Sequence, residues 1–404
     1  MTRQLNPWRR RARLHLRARD GKWKADELPG LVSSARNSAI YHVSCMSAAS
    51  CVAVGSIGNS TTPDDSPANA AVAEFWDGSN WAEATLATPA STTGRARNAH
   101  TAYVVWHCVS DSTPPGLRIG AVFPQTELGH DTGAVRVWGQ EVERAGYRHV
   151  LLYDHVLGAD PAVHAPWDRP YDVRTTFREP FVLFGYLAAL TSLELVTGVI
   201  ILPQRQTALV AKQAAEVDLL TGGRFRLGVG IGWNQVEYEA LGKDFGSRGR
   251  RSEEQIALLR RLFTQQSVTF EGADEQVVGA GISPLPVQRP IPIWMGGSSP
   301  RAYQRIGRLA DGWFPQVAPG PALDEARGIV EQAARDAGRD PAGIGLEGRV
   351  NYVGDLDAAL ASIESWRAVG ATHVTINTMG AGLSGVDGHL AALRDVADSL
   401  TTRP

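Results

Sequence analysis

Cysteine is scarce in this chain of 404 residues, which holds only Cys45, Cys51 and Cys108 and has none in its last 296 residues. A disulfide framework is therefore excluded for most of the chain. This cysteine usage is typical of a protein that works in a reducing compartment, so we expect a cytoplasmic location.

Long apolar runs are also absent. The longest lies near residues 181–190 and gives way at once to Thr191, Ser192 and Glu194, well short of the roughly 20 residues that a membrane span needs. No apolar stretch follows the basic residues at the N-terminus, as a secretory signal would require. We therefore expect neither a membrane partner nor an export signal.

Several motifs of well-known chemistry are missing. The sequence has no phosphate-binding loop of the Gly-x-x-x-x-Gly-Lys-Ser/Thr type, no His-Glu-x-x-His, no Gly-x-Ser-x-Gly and no His and Cys cluster with zinc spacing. These absences disfavour hydrolytic and metal-dependent chemistry, so we expect no metal. They favour an organic cofactor that brings its own redox chemistry.

The net charge of −2 conceals an uneven distribution. Residues 1–24 carry a net charge of +8, which leaves −10 for the remainder. We interpret this segment as a solvated, disordered arm; contact with nucleic acid or anionic lipid is the alternative. No nucleic-acid partner is expected for the rest of the chain.

The composition changes near Pro114-Pro115-Gly116. Before it, residues 25–115 are rich in Ser, Thr and Ala, with hairpin signals that include the Asp77-Gly78 turn. Residues 40–90, with Cys45, Cys51 and Trp76, resemble one blade of the β-propeller-like repeats of actinobacterial exported proteins. Because a single blade cannot cover its own faces, we expect residues 25–115 to be an appendage and residues 116–401 to form the main domain.

Apolar runs alternate with amphipathic stretches from Leu117 onward. The predicted strands are Leu117 to Val122, His149 to Tyr153, Leu195 to Ile201, Phe225 to Val229, Ile291 to Met295, Gly312 to Pro315, Ile344 to Val350 and Val374 to Asn377. The predicted helices between and after them span residues 135–145, 179–190, 208–220, 252–263, 300–309, 323–337, 356–369 and 383–400. Eight strand and helix pairs predict an α/β fold, a (β/α)₈ TIM barrel.

A doubly wound open sheet is the alternative fold. Such a sheet normally carries a glycine fingerprint after its first strand, whereas Phe123-Pro124-Gln125-Thr126 stands here. The sequence therefore favours the barrel, and the residues that follow each strand are the candidates for function.

Two strand ends carry the strongest chemical signals. Asp154 and His155 follow the second strand, where a histidine faces the mouth of a barrel and can exchange protons. The fifth strand runs into Gly296-Gly297-Ser298-Ser299, and a helix begins near Pro300. Free amides and hydroxyls at a helix N-terminus can bind a phosphate, although Ser299 could also serve only as a helix cap.

Four segments in order resemble the luciferase-like monooxygenase superfamily, and within it the branch that uses the deazaflavin coenzyme F420. They are TGVIILP at 197–203, AKQAAEVDLLTGGR at 211–224, LGVGIGWN at 227–234 and ADGW at 310–313. The resemblance covers about residues 117–400 and none of residues 1–115. It implies a luciferase-like barrel with the cofactor ring in its mouth and hydride transfer to or from a small organic substrate.

The resemblance also implies roles for individual residues. His155 would be the acid/base, with Asp154 beside it, and a bulge in the third strand would carry a non-prolyl cis peptide between Gly198 and Val199. The cofactor would contact Gly198, Val199, Gly230, Gly232, Trp233, Asn234, Gly296, Gly297, Ser298 and Ser299. Phe123, Gln125 and Trp167 would line the substrate pocket, with the loops at 156–176 and 267–290 setting specificity.

Three functions stay open. The first is the F420-dependent hydride transfer that the resemblance implies. The nearest alternative keeps the barrel but uses reduced FMN and oxygen, as a monooxygenase. A non-catalytic cofactor-binding or scaffold protein, recruited through the arm and the blade-like segment, is the third reading. A homodimer is possible under any of them.

Overall fold

The computed structural model of the chain describes residues 116–402 continuously and six strands within residues 16–84. The chain divides into two units, residues 1–109 and 110–404. Each is described by itself.

The first unit contains antiparallel strands. β1 (Leu16–Arg19) pairs with β2 (Lys22–Ala25), which places a hairpin within the segment predicted as a disordered arm. A second sheet has the order β3-β4-β5-β6, formed by β3 (Asn37–Ser47), β4 (Ser50–Gly58), β5 (Ala70–Trp76) and β6 (Trp81–Ala84). The rest of the predicted arm and appendage lies outside the described residues.

The second unit is built from parallel strands, each followed by helix. Its barrel strands are β7 (Arg118–Val122), β8 (His149–Leu152), β9 (Glu194–Thr197) with β10 (Ile200–Ile201), β11 (Phe225–Gly230), β14 (Ile293–Gly297), β15 (Gly312–Pro315), β16 (Gly345–Asn351) and β17 (His373–Asn377). Its helices are α1 (Thr132–Arg144), α2 (Pro180–Ala188), α3 (Thr207–Thr221), α4 (Gln235–Ala240), α5 (Arg248–Thr264), α6 (Pro300–Leu309), α7 (Pro321–Asp336), α8 (Leu356–Ala368) and α9 (Gly385–Thr402).

The eight strand positions close into a barrel. The order is β9/β10, β11, β14, β15, β16, β17, β7, β8 and back to β9, and every one of these pairings is parallel. The predicted (β/α)₈ barrel is therefore confirmed. The third strand position is divided into β9 and β10 by residues 198–199, and the sequence analysis had not anticipated α4 or the hairpin of β12 (Val268–Glu271) and β13 (Gln276–Ala280).

Local signals explain why the elements begin and end where they do. α6 starts after Ser299, whose Oγ accepts a hydrogen bond from the backbone N–H of Ala302 at 3.3 Å, and Pro300 occupies the first helical position. α3 ends at Gly222, which adopts a left-handed conformation with φ of 65°. Such caps fix the direction in which each strand leads into its helix.

The barrel lumen is filled by two layers of inward-facing side chains. The upper layer is apolar and consists of Val122, Leu151, Val196, Trp294 and Phe314. The lower layer is ionic: Arg226 Nη1 lies 2.7 Å from Glu347 Oε2, and His149 Nε2 lies 2.8 Å from Glu347 Oε1. Because these layers block the lumen, only the space above them, at the carboxyl ends of the strands, can receive ligands.

The helices bury the outer faces of the strands in a second core. Trp138 of α1, Phe184 of α2, Leu259 of α5 and Trp366 of α8 are among its large side chains, all buried against the sheet. Within the described residues, no helix is both long and apolar enough to cross a membrane.

Candidate functional site

The break in the third strand shapes one side of the mouth. The peptide between Gly198 and Val199 is cis, as predicted. A Cβ at Gly198 would lie 2.2 Å from Leu151 Cδ2, and a Cβ at Gly230 would lie 2.5 Å from Val199 Cγ2. Only glycine fits at these two positions, because Leu151 packs onto Gly198 and the half-buried Val199 packs onto Gly230. The mouth here therefore has a smooth wall, with Val199 as its side chain.

The fourth strand leads into a tight turn. Gly232 has φ of 64° and its Cβ would come within 2.8 Å of Ile201 Cγ2, so both its conformation and its surroundings require glycine. Asn234 caps α4 by accepting from the N–H of Glu237 at 3.4 Å, while its Nδ2 donates to the carbonyl of Leu157 at 3.3 Å. The turn thereby holds Trp233 next to the loop that follows β8.

The fifth strand ends in the predicted phosphate-binding segment. Gly296 and Gly297 are half-buried, and Ser298 and Ser299 are exposed immediately before α6. A Cβ at Gly297 would lie 2.5 Å from the Cβ of Ala302, so the chain packs closely onto the first turn of the helix. The amides and hydroxyls of this segment are thus available for an anionic group.

His155 stands among aromatic rings at the end of the second strand. Its ring centroid lies 4.7 Å from that of Phe177, 5.3 Å from Tyr171 and 5.5 Å from Trp233. About 12% of its side chain is exposed. The imidazole is therefore held in a mostly apolar wall while part of it still reaches the mouth.

Glu237 of α4 is the partner that the sequence analysis missed. Its carboxylate accepts hydrogen bonds from the backbone N–H groups of Val156 and Leu157, the latter at 3.1 Å, and from Gln204 Nε2 at 3.0 Å. Nδ1 of His155 lies 3.4 Å from the same carboxylate. Burial alone would raise the pKa of the Glu237 carboxyl, but these hydrogen bonds hold that pKa below its ordinary value. The anion fixes both the loop after β8 and the orientation of His155.

Replacing Glu237 with glutamine should therefore lower turnover by roughly tenfold or more, as loss of a group that orients a reactive residue commonly does. Because a glutamine amide cannot accept all four hydrogen bonds, the amides of Val156 and Leu157 should also exchange with solvent deuterium faster. Hydrogen exchange with mass spectrometry and steady-state kinetics measure the two effects. Glu239→Gln, on the same helix but exposed, is the matched control; equal behaviour of the two variants would contradict the assignment.

Asp154, predicted beside His155 as part of the catalytic pair, is placed differently. Its carboxylate is buried, lies 2.9 and 3.0 Å from Arg205 Nη2 and accepts from the backbone N–H of Ile201 at 3.3 Å. Burial raises the pKa of Asp154, against the opposing effect of the Arg205 guanidinium. The side chain ties the second strand end to the third and is not directed at His155.

The three residues predicted for the substrate pocket have different surroundings. Phe123 is fully buried and packs edge-to-face on Trp138 of α1 at 5.1 Å, which puts it in the outer core and corrects its prediction as a pocket residue. Gln125 is also buried, and its Nε2 donates to the carbonyl of Tyr153 at 3.0 Å. Trp167 is near Trp233, at 6.1 Å between centroids, and so lies beside the mouth.

The two loops predicted to set specificity also differ. The loop at 156–176 carries Tyr171 and Trp167 to the aromatic group around His155. In the segment at 267–290, hairpin β12–β13 is bonded to α5: the N–H of Asp274 donates to Glu254 Oε2 at 2.9 Å, and Arg251 Nη2 lies 3.0 Å from Glu275 Oε1. The contacts of the hairpin tip are thus with the outer helix, and its effect on specificity stays a prediction.

Within residues 116–402, no three His, Cys, Asp or Glu side chains are close enough together to hold a metal ion. The chemistry available to the mouth includes that of an imidazole, aromatic rings, amides and hydroxyls. Such a site can bind a planar ring with an anionic group and move protons, but it needs a bound cofactor for electron transfer.

Comparisons with known proteins agree with this geometry. The model of the luciferase-like monooxygenase family matches residues 119–386. An uncharacterized protein of Mycobacterium tuberculosis is 38% identical over 164 residues, 40% of this chain and 56% of that protein. An FMNH₂-dependent dimethylsulfone monooxygenase of Pseudomonas fluorescens is 31% identical over 204 residues, 49% of this chain and 51% of that enzyme. The chain thus spans about half the length of these curated relatives.

Solved structures share the fold at low sequence identity. EDTA monooxygenase from Chelativorans sp. BNC1 aligns with a TM-score of 0.59 and 14% identity, covering 71% of this chain and 94% of that one. The coenzyme F420-dependent tetrahydromethanopterin reductase from Methanopyrus kandleri aligns with a TM-score of 0.55 and 14% identity, covering 70% and 97%. The family match begins at residue 119, and the resemblance of residues 40–90 to a propeller blade is not supported.

Proposed function

Since the chain belongs to the luciferase-like monooxygenase family, we propose that it is an oxidoreductase that transfers a hydride between coenzyme F420 and a small organic substrate. The observation that carries this proposal is the smooth wall of Gly198, Val199 and Gly230, which begins on the strand next to the one that leads to His155, an imidazole held by a buried carboxylate. A flat redox ring and a proton-transferring group are the two parts that hydride transfer to an organic substrate requires.

The residues present fit such a cofactor. A Cβ on Gly198 or Gly230 would collide with Leu151 or Val199, so glycine at these positions keeps further side chains off the wall, and a ring can lie against Val199. Trp233 and Asn234 would extend that contact along the turn after β11. Gly296, Gly297, Ser298 and Ser299 would hold the phosphate at the start of α6.

The cofactor, when bound, supplies hydride transfer, and the protein supplies position and protons. Glu237 accepts from Nδ1 of His155, which leaves Nε2 free to give a proton to, or take one from, the substrate oxygen. Tyr171, Phe177 and Trp233 pack around the imidazole and exclude water from it. Asp154 and Arg205 act indirectly, by fixing the strand end that carries His155.

A second candidate function is oxygenation of the substrate with reduced FMN and oxygen. It is favoured by the 31% identity over 204 residues to an FMNH₂-dependent dimethylsulfone monooxygenase. The same mouth, phosphate-binding segment and imidazole would serve that reaction, so the cofactor itself must be identified by binding.

Titration of the full chain with F420, FMN and NADPH, followed by quenching of ligand or tryptophan fluorescence, tests the proposal. We expect F420 to bind at least tenfold more tightly than the others, and tighter binding of FMN would establish the alternative. Gly230→Ala should weaken binding at least tenfold, because its Cβ would displace Val199. Gly328→Ala, which meets no neighbouring atom, should not.

Turnover distinguishes the two reactions. An F420-dependent secondary alcohol dehydrogenase has the same fold, with a TM-score of 0.55 and 17% identity over 69% of this chain and 99% of that one. Reduction of F420 by propan-2-ol is therefore a suitable first assay, and oxygen consumption with reduced FMN and dimethyl sulfone is the other. Failure of all three cofactors to bind would overturn both functions and leave a non-catalytic scaffold.

A further inference from the structure

Arg349 of β16 lies on the inner face of the barrel, on the mouth side of Glu347, and is exposed. Glu347, two residues earlier, points inward, since it contacts His149 of β8 and Arg226 of β11 across the lumen. Val350 is buried in the outer core. Because side chains alternate along a strand, Arg349 shares the inward face of Glu347 and stands at the level of the mouth.

This guanidinium is exposed and has no carboxylate within ion-pair distance among the residues that the structure describes. Two other charged groups near the mouth are already engaged: Arg205 pairs with Asp154 and Glu179, and Glu237 accepts four hydrogen bonds. An arginine on the inner wall of a site whose charge no carboxylate neutralises is therefore available to an anionic ligand.

Tyr153, at the end of β8, is a neighbour of this arginine. Its hydroxyl is inaccessible to solvent and has no partner in full hydrogen-bond geometry among the described residues, and the same holds for Oε1 of Gln125, whose Nε2 donates to the Tyr153 carbonyl. Burial raises the pKa of the Tyr153 phenol, and the positive charge and the donor groups of Arg349 oppose that rise, so the two side chains are neighbours. Buried polar groups are normally paired, and an unpaired one indicates a missing partner.

The strand order places Arg349 across the mouth from the proposed cofactor wall. Three strands separate β16 from β9 in one direction (β17, β7 and β8) and three in the other (β11, β14 and β15). The wall of Gly198 and Val199 belongs to the β9/β10 position, which is thus diametrically opposite. A ring lying on that wall would present its open face toward Arg349, where the substrate must sit.

We infer that Arg349, with the Tyr153 hydroxyl, forms a subsite for an anionic group of the substrate, a carboxylate or sulfonate on an apolar body. The planar guanidinium matches such an oxyanion with two parallel hydrogen bonds. The rings of Tyr171 and Phe177, 4.9 Å apart beside His155, provide the surface for the apolar part. The inference rests on the proposed function for its placement of the cofactor and adds the substrate class.

Isothermal titration of the full chain with benzoate and benzenesulfonate, compared with the neutral benzamide and benzenesulfonamide, tests the subsite. The anions should bind at least tenfold more tightly than the amides. Arg349→Gln should weaken anion binding at least tenfold and leave amide binding within twofold, and Arg349→Lys should retain part of the preference. Arg367→Gln, which removes an equal charge from an exposed ion pair on α8, is the control and should change nothing.

The outcomes separate this inference from the function on which it rests. Cofactor binding should be within a few-fold of wild type in Arg349→Gln, and Tyr153→Phe should weaken anion binding by a smaller factor. Equal binding of anions and amides, no binding of any of the four, or loss of cofactor rather than anion affinity in Arg349→Gln would each overturn the subsite. Failure of the wild-type chain to bind F420 and FMN would instead overturn the proposed function.

Discussion

Replacing His155 with alanine is expected to lower turnover by roughly 10²-fold or more, the usual loss when general acid or base assistance is removed. The structure brings this imidazole to the mouth, with Nδ1 directed to Glu237 at 3.4 Å. Alanine removes the proposed proton carrier and leaves the glycine wall and the proposed phosphate-binding segment in place. Cofactor affinity should therefore stay within a few-fold of wild type.

Steady-state kinetics with the substrate and cofactor that the wild-type chain accepts, together with fluorescence titration, measure these two quantities. His130→Ala, on an exposed loop, is the control and should leave both unchanged. Turnover close to wild type in His155→Ala would show that the ring only packs against Tyr171, Phe177 and Trp233. A parallel loss of cofactor affinity would place it in the binding surface instead.

The largest effect on stability is expected from Glu347→Ala in the lower layer of the lumen. Its carboxylate contacts Arg226, His149 and Thr375, and about 1% of its side chain is exposed. Removing one partner leaves the charge of Arg226 buried without full compensation, which commonly destabilises a protein by about 3–5 kcal/mol. The remaining partner of Arg226, Glu194 Oε1 at 2.9 Å, would offset only part of that loss.

Urea unfolding followed by tryptophan fluorescence measures the change in the free energy of unfolding. Glu364→Ala removes an exposed carboxylate that pairs with Arg367 on α8 and should change stability by about 1 kcal/mol or less. Similar values for the two variants would mean that water enters the lumen and screens the Arg226 charge.

The same layer should make the barrel less stable in acid. Burial, reinforced by the charge of Arg226, lowers the pKa of His373 to about 2. Between pH 6.5 and about 2 the unfolded chain therefore binds a proton at this residue that the folded chain does not. The free energy of unfolding should fall by up to about 1.4 kcal/mol per pH unit across that window. His373→Gln should reduce the slope in urea unfolding series at pH 7, 6 and 5.

The sequence contained enough information for most of the fold. β15 at Gly312–Pro315 and α6 at Pro300–Leu309 were predicted to the residue, because Ser299, Pro300 and the intervening Ala310-Asp311 mark their limits clearly. The hairpin β12–β13 was missed because the chain there lies on the outside of a helix and lacks the alternation of a half-buried strand: four of the five residues of β13 are exposed.

Which side chains of a barrel strand point inward is harder to predict than where the strand lies in the sequence. Both faces of a barrel strand are buried, so the apolar run at Ala121, Val122 and Phe123 does not show which side chains point inward. Val122 lies in the lumen and Phe123 in the outer core, whereas the pocket prediction required Phe123 to face inward. The same ambiguity concealed Tyr153 and Arg349, which face the mouth.

The sequence does carry a signal at Glu237, but that signal predicts a helix cap and not a contact with the loop after β8. The spacing of Asn234 and Glu237 is that of a capping box, in which the acidic side chain bonds to the start of its own helix and remains exposed. Here the backbone N–H of Glu237 donates to the Asn234 side chain, as in a capping box, but the Glu237 carboxylate contacts the loop after β8 instead. Sequence spacing indicates the cap, and only the tertiary fold decides where the carboxylate goes.

The two filled layers of the lumen have a consequence for kinetics. Because the barrel is closed below by Trp294, Phe314 and the ionic layer, molecules can enter and leave only through the mouth. A ligand that lies against the glycine wall must bind before a second ligand that covers it. It can be released only after that second ligand has left. We therefore expect binding in a compulsory order, with the deeper ligand binding first. In product inhibition experiments, competition should then occur only between the form of the deeper ligand that enters the reaction and the form that leaves it.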